Sequence, residues 1–110
     1  MVKQMNSSQL LNEILALYRK HGWQLRHLLL RPETRAELQT AAANMPVTEG
    51  AIDAMWFSRP SHDEREAWEL RLLSENPYAL FETFEKDETE EQRAEMRREM
   101  EARMREYLNK

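Results

Sequence analysis

AIDAMWFSRPSHDEREAWELRLLSENPYALFETFE, residues 51–85, decides the fold. It breaks into three strand-like segments with short connections. In 51–58, Ile52, Ala54 and Trp56 alternate with Asp53, Met55 and Phe57, so both faces are largely apolar. In 66–73, Trp68, Leu70 and Leu72 alternate with Ala67, Glu69, Arg71 and Leu73. In 77–85, Tyr78, Leu80 and Phe84 face one way and Phe81 the other, and Pro77 sits where a missing N–H does least harm. Arg59–Arg65 has the proline and small polar residues of a hairpin loop, and Glu75-Asn76-Pro77 forms a tight turn. Such strands predict an antiparallel sheet, neighbours in sequence being neighbours in space.

Working back towards the N-terminus, Leu10, Leu11, Ile14, Leu15, Leu17 and Tyr18 recur at helical spacing. Ser7 or Ser8 supplies a cap, Arg19, Lys20 and His21 suit the negative end of the dipole, and Gly22 suits a left-handed stop. A helix over 7–21 follows. Residues 23–30 (WQLRHLLL) read as a strand with Trp23, Leu25, His27 and Leu29 on one face. Pro32 and Glu33 open a second helix over 32–43, with Leu38 as its large apolar residue, placed over an edge of the core. Residues 44–50 form the main irregular connection.

Beyond the sheet, residues 87–110 hold no glycine or proline. Asp87 and Glu90 have capping-box spacing, and a charged helix over about 87–109 is predicted. The whole is a single α+β domain, 1–110, ordered α-β-α-β-β-β-α with a four-stranded, mostly antiparallel sheet packed against helices. One core suffices at 110 residues.

Composition narrows the function. There is no cysteine, hence no disulfide and no thiolate metal site. No stretch reaches the ~20 apolar residues of a membrane span, and MVKQMNSSQ has no secretory-signal pattern. The cytoplasm is the default compartment. Net charge is −4, split as +3 over residues 1–42 and −7 over 43–110.

Met96, Met100, Met104 and Tyr107 or Leu108 form a narrow apolar stripe along the last helix. It either packs on the chain's own sheet or meets a second copy or another protein, and methionine suits adaptable interfaces. On the second reading the chain is a non-catalytic interaction or self-association module, and Met100→Glu with Met104→Glu weakens association without unfolding. Trp56 and Trp68 form either core or an aromatic platform with Arg59 and Arg71 at its margin. Arg59, His62 and Arg71 are then the ligand-facing residues.

Two alternatives stand beside this. Asp53 with Glu69-Leu70-Arg71 loosely follows the Asp…Glu-x-Lys pattern of metal-dependent nucleases, in which paired carboxylates hold magnesium. Arginine in the lysine position cannot serve as a base at neutral pH. The basic region Arg19, Lys20, Arg26, Arg31 and Arg35, with His21 and His27, offers a phosphate- or nucleic-acid-binding face, though no stacking or glycine-rich motif accompanies it. His62-Asp63-Glu64 are adjacent residues that do not converge on one ion. Ser58, Ser61 and His62 lie at a hairpin tip open to water. With Gly22 and Gly50 as the only glycines, no phosphate-cradling loop or cofactor motif is present. Catalysis is not the reading favoured.

Overall fold

The computed structural model describes residues 6–110, so the first five residues of MVKQMNSSQ lie outside it. Helix α1 (Ser7–Lys20) begins at Asn6, one residue before the expected serines. Asn6 accepts from the Gln9 N–H at 2.8 Å and Gln9 returns a bond to the Asn6 N–H, so two orphan donors of the first turn are satisfied. Gly22, at φ +83°, turns the chain into β1 (Gln24–Leu30).

The second helix is shorter than its alanine content suggested. Helix α2 spans Pro32–Glu37 and gives way to turns. Leu38 at its end is fully buried, part of the core rather than its edge. The connection at 44–50 holds a strand of its own, β2 (Val47–Glu49), parallel to β1. The expected count of four strands becomes five. Strands β3 (Ala54–Pro60), β4 (Glu66–Leu72) and β5 (Ala79–Phe84) follow, and the sheet order is β2-β1-β3-β4-β5. Apart from the β1–β2 pair it is antiparallel, and β3, β4 and β5 stand in sequence order as expected.

Strand β1 does not alternate as its sequence suggests. Its pairing with β3 shifts between Leu25 and His27, so Leu25 opposes Phe57 and His27 opposes Trp56. One extra residue at Arg26 resets the pleat. Leu25, Leu28 and Leu30 therefore share the α1 face, whereas His27 and Leu29 look the other way.

The sheet separates two cores. On one side Leu11, Ile14, Leu15 and Tyr18 of α1, with Leu38, pack on Leu28, Leu30, Met55 and Phe57. On the other, helix α3 (Glu90–Leu108) lays Met100 and Met104 on Trp56, Leu70, Leu72 and Leu29. Burying each methionine contributes about 1.5–3 kcal/mol. Helix α3 starts later than expected: Thr89 with Gln92, not Asp87 with Glu90, makes the capping box. Its neighbours are β4 and β5, while α1 and α2 lie against β1 on the opposite face. Among the described residues, no helix packs on the half of the α1 face over β5.

Candidate functional site

The Met stripe is core in this fold. Met100 and Met104 are 0% exposed and Met96 is partly buried against the same cluster. Tyr107 stacks on Tyr78 at 3.6 Å and accepts a bond from the Asn76 amide at 2.9 Å. Leu108 keeps an exposed surface, at the end of the helix. The reading that reserved this stripe for a partner thus loses its two central methionines to the sheet, because β3 is apolar on both faces and needs a cover on each.

Asp53 and Glu69 are not brought together. Glu69 opposes Phe57 and Leu72 opposes Ala54, so four ladder steps, ~13 Å, separate the two positions. Each carboxylate is also engaged. Asp53 accepts from the Arg31 backbone N–H at 2.8 Å, from the Arg31 guanidinium at 2.9 and 3.0 Å, and from the Thr34 hydroxyl at 2.7 Å. Glu69 accepts from the Tyr18 hydroxyl. Among the described residues no three metal-binding side chains gather.

The arginines of the basic region disperse. Arg26 donates to the Ser58 hydroxyl and lies over Trp68 on the α3 face. Arg31 clasps Asp53, and Arg35 pairs with Glu49 at 3.1 Å. They make no continuous tract for a phosphate backbone. A hollow of about 470 Å³ beside α2 has Arg35 and Glu49 as its charged lining, the pair already joined to each other.

Arg59, His62 and Arg71 also part company. Arg59 stacks on Trp23 at 4.5 Å and donates to the His21 carbonyl at 2.8 Å. His62 opens a 3-10 turn at the hairpin tip, followed by Asp63 and Glu64 at positive φ. Arg71 is buried, and its guanidinium donates to the carbonyls of Leu72, Ser74 and Asn76, holding the β4–β5 turn closed. Opposite Met55, it sits four rungs from the Ala67 level at which Arg59 stands.

What the fold does assemble is a patch that the sequence reading passed over. Leu17 and Phe81 are 53% and 56% exposed, and both flank Trp23. Phe81 meets the Trp23 ring edge-on at 6.4 Å, and Leu17 lines a cleft of about 220 Å³ with Tyr18, His21, Trp23 and Glu69. Leu17 also borders a second cleft of about 430 Å³, lined by Leu10, Glu13, Ile14, Arg71 and Glu75. The two clefts share Leu17 and run along α1 as one trough, with Phe81 of β5 at its Trp23 end. The lone outward turn of Phe81 in 77–85 was the sequence signal. Its companion Leu17 was hidden within the broad apolar face of α1.

At the bottom of this trough Tyr18 stacks on Phe57 at 4.1 Å and donates to Glu69. Burial, and then the neighbouring carboxylate, push the phenol well above its ordinary value of 10.0. The folded protein therefore holds that proton at a pH where the unfolded chain has released it. Stability is fully present below about pH 10 and falls above it, with a limiting slope of about 1.4 kcal/mol per pH unit. Urea midpoints taken at increasing alkalinity are expected to show this loss, and Tyr18→Phe to flatten it. An unchanged slope in Tyr18→Phe would assign the loss to other groups.

No family model matches the chain, and no curated protein or solved structure matches it either. The geometry defines a helix–sheet–helix α+β domain with one half-face that no helix among the described residues covers. No helix among the described residues is long and apolar enough to cross a membrane.

Proposed function

We propose that this chain is a non-catalytic, cytoplasmic protein-interaction module, and that it meets its partner through the trough around Leu17, Trp23 and Phe81. One observation carries the reading: the most exposed large apolar side chains of α1 and the sheet flank one indole, where no helix among the described residues covers the sheet. Scattered apolar residues need no explanation, whereas a contiguous cluster beside a cleft is the usual mark of a contact surface. The aromatic centre and charged rim fit that anatomy, with Trp23, Tyr18 and Phe81 inside and Glu13, Glu75 and Arg59 around.

The test is photo-crosslinking in cells with p-benzoylphenylalanine in place of Phe81. Discrete protein adducts are expected there and not with the same group in place of Arg98, on the solvent side of α3. Phe81→Asp is expected to leave folding stability within about 0.5 kcal/mol of the parent. Equal, diffuse labelling at both positions would remove the reading.

A further inference from the structure

We propose that β5 accepts an added strand, an extended segment of another protein whose side chains alternate between apolar and basic. The proposal rests on the interaction-module reading and names the form its partner takes.

Hydrogen bonding along β5 comes first. The Leu72 N–H donates to the Tyr78 carbonyl, and antiparallel ladders bond at every second residue. Tyr78, Leu80, Glu82 and Phe84 therefore turn their backbone groups to β4, and Ala79, Phe81, Thr83 and Glu85 turn theirs outward. The outer N–H groups of Thr83 and Glu85 are answered by the carboxylates of Glu82 and Glu88, at 3.2 and 2.9 Å. Those of Ala79 and Phe81 face the open edge, together with their carbonyls. Residues 79–84 contain no proline, lysine or bulge, the devices that usually close such an edge.

The two faces of the edge then specify the side chains. On the α1 face an incoming residue lies beside Phe81 and the Trp23 ring behind it, which calls for an apolar group. The α3 face is acidic. Met100 points at the sheet and Glu101 reaches the Trp56 indole nitrogen over β3 at 2.9 Å. At 100° per residue Glu99 then turns to the opposite flank, out over β5, with Glu106 and Glu95 on the same side. Arg103 falls on the same flank as a single base among these acids, and Glu82 adds another acid from the strand. An added strand lies ~4.8 Å outside β5, where a lysine or arginine side chain reaches that flank. A second copy of β5 fits less well, since it would bring its own Glu82 beneath the same acids. Strand addition with alternate side chains read by two surfaces is a recurrent mode of peptide recognition.

Amide exchange by NMR on the full chain tests this with three synthetic strands: alternating valine and lysine, alternating valine and glutamate, and the lysine strand N-methylated along one edge. The lysine strand is expected to slow exchange at Ala79 and Phe81 at least ~tenfold, and the other two to leave it unchanged. Glu99→Lys with Glu106→Lys, both on exposed positions, is expected to weaken the lysine strand about five- to tenfold. Binding without protection at Ala79 and Phe81, equal binding of the N-methylated strand, or no binding of the lysine strand would each overturn the proposal. So would concentration-dependent protection in the protein alone, which would make a second copy the occupant. Adducts at Phe81 together with any of these outcomes would leave the interaction reading standing and remove the added strand alone.

Discussion

Met100→Ala is expected to destabilise the domain by about 2–5 kcal/mol, the range for emptying a fully buried large side chain. Against a typical total of about 5–15 kcal/mol, that is a large fraction, readable as a lowered urea midpoint. Met100→Glu with Met104→Glu goes further. It sets two carboxylates among the apolar side chains of Trp56, Leu70 and Leu72. The expected result is loss of the cooperative unfolding transition, with exposed tryptophan fluorescence from Trp56. A folded double variant with an unchanged midpoint would mean that α3 does not rest on the sheet as described. The same substitutions, judged from periodicity alone, were expected to spare the fold and weaken association.

Asp53→Ala is the second large effect, at about 2–3 kcal/mol. Helix α2 has no cap from its own first residue, because Arg31 makes no side-chain bond at the N-terminus. Asp53 does that work from just before β3, bonding the Arg31 N–H and the Thr34 hydroxyl in the first turn. Removing it strands the buried Thr34 hydroxyl, at about 1–3 kcal/mol. The ion pair with Arg31 adds less, since that side chain is 51% exposed and screened by water. Asp53→Asn keeps an acceptor oxygen and is expected to cost less than half as much. Equilibrium denaturation of the two variants separates the terms; equal costs would mean that charge, not capping, is what Asp53 supplies. A residue that looked like half of a metal site is thus a helix cap supplied from a distance.

Much of the architecture was legible because it is local. Helix α1, the hairpin β3–β4 and strand β5 announce themselves by spacing, and the burial of Leu11, Ile14, Trp56 and Phe84 follows from it. What escaped depends on partners far along the chain. Three residues such as Val47–Glu49 have no periodicity to display; they become a strand because Leu28 and Leu30 are waiting beside them. The place of the Met stripe was open to inference from β3. A strand apolar at Ala54 and Trp56 and also at Met55 and Phe57 needs a cover on each face, and α3 is the amphipathic helix left to supply the second. The Leu17–Trp23–Phe81 patch joins three elements and could not be assembled from any one of them.

The extra residue in β1 has a consequence for how this chain can change. A strand is a two-letter message, in and out, and Arg26 is a frameshift within it. Remove Arg26, and Trp23, Leu25, Leu28 and Leu30 fall at every second position of a regular strand whose partners on β3 are unchanged. What goes with it is the side chain that reaches Ser58 and lies over Trp68. Of all the letters in β1, this is the one the chain can drop without rewriting the message around it.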